Sequence, residues 1–259
     1  MPTMVRKVET GIPGLDEMLQ GGFPGERMIL VMGGPGTGKT IFGSQFLHHG
    51  ATKLEEKTVY ISLDETKQHF LEEMLAFGWN FQELEQDNRF TFIDASHIRR
   101  IPDVTKVGRL QVAGKDLARE RLKDSIFTTL EGTEARAIDR FIGDLGAQRV
   151  VLDSISGLTF RFPEAWEKRQ AMLEIIEALD DLGATCLITS EAISTGAERQ
   201  VQPEEYLCHG AVLLQTLETG QRAVKVVKMR GTEVDSSPRP YLIGKTGIEI
   251  YPERSIYQS

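Results

Sequence analysis

Apolar residues along this chain gather into short, nearly unbroken runs: Met28 to Met32, Thr58 to Leu63, Phe90 to Asp94, Arg149 to Asp153 and Thr185 to Ser190. Such runs, rich in β-branched and aromatic residues and without strict polar alternation, predict strands buried on both faces of a parallel sheet. The stretches between them have another rhythm. Phe70, Leu71, Met74 and Leu75, and again Met172, Leu173, Ile176 and Leu179, recur at three and four residues and line one face of a helix. Strand and helix in alternation predict a βαβ succession, whose crossover helices cover both faces of a mostly parallel sheet. The expected fold class is α/β.

After Gly210 the texture changes. Ala211 to Leu217, Arg222 to Met229, Tyr241 to Ile243 and Ile248 to Tyr251 are separated by Glu-Thr-Gly, Ser-Ser-Pro and Lys-Thr-Gly, the punctuation of hairpins. They predict an antiparallel β extension over about residues 211–252, joined to a core over about 10–210. No internal repeat, low-complexity tract or long linker divides the chain, so one domain over 1–259 is the simplest organisation. Between His97 and Lys115, five cations (Arg99, Arg100, Lys106, Arg109 and Lys115) stand against Asp103 alone. This basic excursion is expected between the third strand and its helix, as a solvated loop in preference to a docking surface.

At 40% hydrophobic and 26% charged residues, the 259-residue chain has enough apolar material for a buried core and too much for a disordered tail. No apolar run approaches the ~20 residues of a membrane-spanning helix, and Met1 to Thr10 has no apolar core of a signal peptide. A cytoplasmic protein without a membrane partner is therefore expected. Cys186 and Cys208 cannot frame a disulfide scaffold or a four-ligand metal site. His48, His49 and His69 lie in helical patterns without metal spacing and read as surface or packing residues. The formal charge of −8 works against nucleic acid and anionic lipid as general partners.

One motif carries specific chemistry. Gly33-Gly-Pro-Gly-Thr-Gly-Lys39-Thr40 fits Gly-x-x-x-x-Gly-Lys-Thr directly after a strand and before a helical stretch. Gly34, Gly36 and Gly38 let the backbone curl around Pro35 and Thr37 so that its N–H groups point at phosphate oxygens, and the helix beginning near Ile41 presents its positive end there. ATP or another triphosphate is the natural ligand. Lys39 would reach the β- and γ-phosphates, and the Thr40 hydroxyl would join a Mg²⁺ shell. The dinucleotide fingerprint fails, because the third glycine it needs would fall on Lys39 or Ile41.

Three further carboxylates, at the ends of two strands, are expected at the same sheet edge. Asp153 ends the strand that begins at Arg149, which suits a Mg²⁺-holding role with Ser154 as a neighbour. Asp64 and Glu65 follow the strand from Thr58, where one of them could orient an attacking water.

These residues resemble the RecA-like P-loop ATPases, in particular the KaiC-like branch. Thr10-Gly-Ile-Pro-Gly-Leu-Asp16, Val59-Tyr-Ile-Ser-Leu-Asp64-Glu65, Val151-Leu-Asp153-Ser154, Leu187-Ile-Thr189-Ser190-Glu191 and Val227-Lys228-Met229-Arg230-Gly231-Thr232 follow in that family's order. The resemblance implies a ring, commonly a hexamer, with ATP and Mg²⁺ between neighbouring subunits. It implies Glu65 as the catalytic carboxylate with Asp64 as helper, and Lys228 and Arg230 as the groups that reach the neighbour's nucleotide. A guanidinium offered in trans suits that role, since it stabilises transition-state charge by on the order of 10³ to 10⁵ in rate. The chain departs from the family pattern at Asp64, where a glutamate is usual, at Val234, where histidine is common, and at His209, where aspartate is common. It carries one copy of the domain, so the autokinase activity of the double-ring clock protein is not assigned to it.

The expected function is thus a Mg²⁺-dependent ATPase working as a homo-oligomeric ring, regulatory or signalling in character and with an unknown protein partner. Two alternatives stand beside it. A recombination-type nucleic-acid binder is not favoured: Glu191 to Tyr206 carries four glutamates against Arg199, although Phe160, Arg161, Phe162, Trp166, Lys168 and Arg169 offer some stacking and charge. An ATP-switched scaffold with negligible hydrolysis is the other, and Glu65 argues against it.

Overall fold

A computed structural model describes residues 6–94, 111–112, 115–116, 142–156, 165–192 and 201–256. In chain order its elements are β1 (Lys7–Val8), α1 (Leu15–Met18), β2 (Phe23–Pro24), β3 (Met28–Gly33), α2 (Lys39–Lys53), β4 (Thr58–Ser62), α3 (Lys67–Leu75), α4 (Phe81–Gln86), β5 (Phe90–Asp94), β6 (Gln111–Val112) and β7 (Lys115–Asp116). Then follow β8 (Arg149–Asp153), α5 (Ala165–Asp180), β9 (Thr185–Glu191), α6 (Pro203–Leu207), β10 (Gly210–Thr216), β11 (Arg222–Met229), β12 (Arg239–Gly244) and β13 (Gly247–Ile250). Strands β1 and β2 form a small antiparallel pair, and the others make a sheet in the order β13-β12-β11-β10-β3-β9-β8-β4-β5-β6-β7.

The centre of this sheet, from β10 to β5, is parallel throughout. All five apolar runs expected as parallel strands lie in it. The first strand of the antiparallel extension also has a parallel neighbour. Ala211 to Leu214 run parallel beside Leu30 to Gly33, while the other side of β10 pairs antiparallel with β11. Hairpin signals reveal the turn after a strand and say nothing of its second neighbour, so β10 closes the parallel core and opens the extension. At the far edge β6 and β7 add two short antiparallel strands beside β5. The remainder of the basic excursion from His97 to Lys115 lies outside the described residues, as do Phe160, Arg161, Phe162 and the residues 193–200; Trp166 and Arg169 are exposed on α5.

Strand periodicity divides the core into two layers. On β3 and β4, Ile29, Val31 and Tyr60 pack with Phe42, Phe46 and Leu47 of α2 and Phe70 of α3, whereas Met28, Leu30, Met32, Val59 and Ile61 pack with Met172, Ile175, Ile176 and Leu179 of α5. Helices thus cover both faces. Side-chain caps set where the lesser helices start: Thr66 accepts from the His69 N–H and Asn80 from the Glu83 N–H. His48 stacks on Trp79 with ring centroids 5.5 Å apart, a packing role.

One polar side chain is buried deep under α2. Arg149, fully buried at the start of β8, donates through Nε to the Glu56 carboxylate and through Nη1 to the Glu9 carbonyl at 2.8 Å and the Phe46 carbonyl at 3.0 Å. Its guanidinium also lies 4.4 Å from the Phe46 ring centroid.

Candidate active site

The parallel order brings the carboxyl ends of β3, β9, β8 and β4 to one sheet edge, the side on which open α/β sheets bind ligands. The chain leaves β3 at Gly33 and turns back into α2 through a loop with positive φ at Gly36 (71°) and Gly38 (91°). A side chain at Gly38 would be strained by that φ and would also meet Ile243 Cδ1 at 2.8 Å. Gly38 caps α2 without a side-chain hydrogen bond, and the first helical bond runs from the Phe42 N–H to the Gly38 carbonyl. The amides of Lys39, Thr40 and Ile41 therefore form the positive end of a 15-residue helix. Behind the loop, the Tyr241 hydroxyl of β12 donates to the Thr37 carbonyl at 2.6 Å, and Thr37 Oγ1 donates to the Gly34 carbonyl at 2.8 Å.

Asp153 is the hub of the polar network. Its Oδ2 accepts from Thr40 Oγ1 at 2.6 Å and from the Tyr60 hydroxyl at 2.6 Å, and its Oδ1 accepts from Thr189 Oγ1. Register explains the convergence, because Ser62 lies beside Asp153 on β4 and Ile188 beside Leu152 on β9. Lys39 Nζ donates to the Gly33 and Gly34 carbonyls at 2.9 and 3.1 Å. Burial lowers its pKa, while the carboxylates of Asp153, Glu191 and Asp64 act in the opposite direction.

Asp64 and Glu65 stand just past β4. Ser62 Oγ donates to the Glu65 carbonyl at 2.7 Å and accepts from the Glu65 N–H at 2.9 Å, a staple that fixes the turn. Ser154 Oγ donates to Asp64 Oδ2 at 2.9 Å, so the shorter acid at 64 is tied to β8. Glu65 Oε1 lies 3.4 Å from the Tyr60 hydroxyl. Its carboxyl pKa is pushed up to about 7, first by burial and then by the negative charges of Glu73 and Asp153, with the least from Asp64, while the Tyr60 hydroxyl acts in the opposite direction. A carboxylate with that pKa is suited to accepting a proton near neutral pH.

Lys228 and Arg230 lie at the opposite edge of the sheet. Gly210 is beside both Ile29 and Met229, and Leu214 is beside Gly33. Four residues of strand, about 13 Å, thus separate this end of β11 from the phosphate-type loop. Lys228 Nζ donates to the Cys208 carbonyl at 2.7 Å and Arg230 Nη2 to the Tyr206 carbonyl at 3.4 Å. His209 joins them, its Nδ1 accepting from the Met28 N–H at 3.3 Å. Val234 packs against the core. Within one chain, then, Lys39, Thr40, Asp153, Asp64 and Glu65 come together, and Lys228 and Arg230 stand apart from them.

The loop's chemistry fits a phosphate ligand and a hard cation. A Cβ at Gly34 or Gly36 would meet nothing within 4 Å, so the loop surface is open, and helix amides offer donors to anionic oxygen. Thr40 and Asp153 put a hydroxyl and a carboxylate oxygen together, the donor set of Mg²⁺ when phosphate and water complete the shell. Among the described residues, no group of three or more His, Cys, Asp and Glu is placed to hold a metal, and no helix is long and apolar enough to cross a membrane. Sequence reasoning missed Tyr60, Thr189 and Tyr241 as site residues. Their hydroxyls carry no spacing or motif that sets them apart from the other hydroxyl residues of these strands.

Comparison with known proteins gives a consistent picture. The KaiC ATPase family profile matches residues 8–255. A UPF0273 protein of Methanocaldococcus jannaschii is 33% identical over 254 residues, 96% of this chain and 98% of that one. The circadian clock oscillator protein KaiC of Parasynechococcus marenigrum is 31% identical over 252 residues, covering 96% of this chain and 45% of the clock protein. The chain therefore spans less than half the length of that relative. Among solved structures, a KaiC-like protein of Pyrococcus horikoshii superposes with a TM-score of 0.76 at 30% identity, over 96% of this chain and all of that one.

Proposed function

The chain belongs to the KaiC family of ATPases, and we propose that it binds and hydrolyses ATP with Mg²⁺ as a homo-oligomeric ring, regulatory in character, with a nucleotide at each subunit junction. The observation that carries this reading is the hub at Asp153: hydroxyls of Thr40, Tyr60 and Thr189 converge on one carboxylate beside the phosphate-type loop, with Glu65 adjacent. In this reading residues 1–259 act as one domain, a core over about 10–210 with a strand extension over about 211–252.

The loop amides from Gly36 to Ile41 hold the phosphates and Lys39 neutralises the β- and γ-oxygens. Thr40 and Asp153 would hold Mg²⁺, which would supply positive charge beside the phosphate oxygens. Glu65, stapled by Ser62, orients the attacking water and receives its proton, with Asp64 beside it. Lys228 and Arg230 lie too far from their own loop to assist it and instead face the loop of the next subunit, where Arg230 stabilises transition-state charge.

Mg²⁺-dependent phosphate release, measured against protein concentration, tests this reading. Specific activity should rise and saturate, Glu65→Gln and Arg230→Ala should each be silent, and mixing the two silent proteins should restore turnover through intact junctions. Wild-type silence at every concentration would refute hydrolysis. Full activity of Arg230→Ala would refute the shared site.

A further inference from the structure

Tyr60 is fully buried on β4, its ring 4.4 Å from the Phe70 centroid and 5.5 Å from that of Phe92, nearly parallel to the latter. A phenylalanine would make the same apolar contacts, so packing does not account for the hydroxyl. That hydroxyl has one proton to give and two carboxyl oxygens in reach. Asp153 Oδ2 at 2.6 Å takes it, in a short, charge-assisted bond, and Glu65 Oε1 at 3.4 Å lies at the long limit of hydrogen bonding. We infer that the Tyr60 hydroxyl is a positioning group for the hydrolysis proposed above, on which this inference rests: it turns the Asp153 carboxylate toward Thr40 and sets how near Glu65 comes to that carboxylate.

The geometry leaves Asp153 little freedom. Thr189 holds Oδ1, and Thr40 and Tyr60 share Oδ2 from two sides. Without the tyrosine hydroxyl, Oδ2 keeps the Thr40 contact alone, and only that contact and Thr189 on Oδ1 oppose a turn of the carboxylate. Glu65 then loses the oxygen that stands between it and Asp153. The phosphates are unaffected, because the loop amides and Lys39 hold them without Tyr60. Losing such an oriented partner of a metal-holding carboxylate costs about tenfold or more in metal affinity or activity.

The full-length protein with Tyr60→Phe tests this beside Phe92→Leu, which disturbs the same aromatic stack and no hydrogen bond. Tyr60→Phe should lower kcat about tenfold and raise the Mg²⁺ concentration at half-maximal rate about tenfold, with KM for ATP unchanged at saturating Mg²⁺. Phe92→Leu should lower the thermal midpoint and leave the Mg²⁺ requirement alone. Wild-type kcat and Mg²⁺ requirement in Tyr60→Phe would overturn the inference, as would an equal shift in both variants. Should wild-type protein release no phosphate, the ATPase reading falls and the Mg²⁺ dependence of ADP binding decides for Tyr60: a weakened dependence in Tyr60→Phe supports the role, and an unchanged one overturns it.

Discussion

Replacing Glu65 by glutamine should stabilise the protein at alkaline pH. In the folded chain, burial and three neighbouring carboxylates push the Glu65 carboxyl from its ordinary 4.5 up to about 7. A raised folded pKa means that the native state binds more protons than the unfolded chain between those values, so stability falls as pH rises from about 4.5 through 7. At 1.36 kcal/mol for each pH unit between the two values, the ceiling is about 3 kcal/mol. The carboxyl is only partly buried, and solvent screening reduces this to about 1–2 kcal/mol. Glutamine keeps the size and one acceptor oxygen and removes the charge. At pH 8 the variant should therefore melt about 2–4 °C higher than wild type, and at pH 5 most of that difference should be absent. Thermal unfolding followed by circular dichroism at the two pH values measures it. A variant that melts lower at pH 8, or an equal shift at both, would refute the argument that Glu65 carries a charge the fold resists.

Two further outcomes follow from the same geometry. In the role proposed for it Glu65 would have to be ionised to accept a proton, so kcat should rise about tenfold between pH 6 and pH 8 with a midpoint near 7, a profile read from phosphate release. A flat profile would move the base elsewhere. Glu56→Ala removes the carboxylate that Arg149 meets under α2 and leaves a buried guanidinium with two carbonyls and a ring, which should cost about 3–5 kcal/mol and lower the thermal midpoint by about 6–10 °C. A shift under about 2 °C would show that the carbonyls and Phe46 suffice.

Most of the central sheet was legible because burial on both faces leaves a period in the sequence, and the phosphate-type loop because its glycines must stand at set spacings between strand and helix. Asp153 was legible for a related reason: a carboxylate closing an apolar strand must lie at the carboxyl edge. What escaped is information that lives in register. Tyr60 and Thr189 read as ordinary residues of β4 and β9, and only the pairing of Ser62 with Asp153 and of Ile188 with Leu152 turns their hydroxyls onto one carboxylate. The second neighbour of β10 was hidden likewise, since a turn signal reports one partner of a strand.

The same distinction governs the two ends of the sheet. Lys39, Thr40, Asp153 and Glu65 are united by the parallel order alone, because every parallel strand ends at the same edge. Lys228 and Arg230 come from β11, which runs the other way, and its end must lie beside the start of β3. An antiparallel strand next to a parallel core thus exports its terminal cations to the face opposite the ligand edge. In the ring proposed above, the cations at one edge of a copy meet the carboxylates and bound phosphates at the ligand edge of the next, stacked head to tail, and the stack closes when the rotation between copies allows it. Under that proposal, titrating salt should weaken self-association and turnover together, because both would draw on the pairing of charges across the junction.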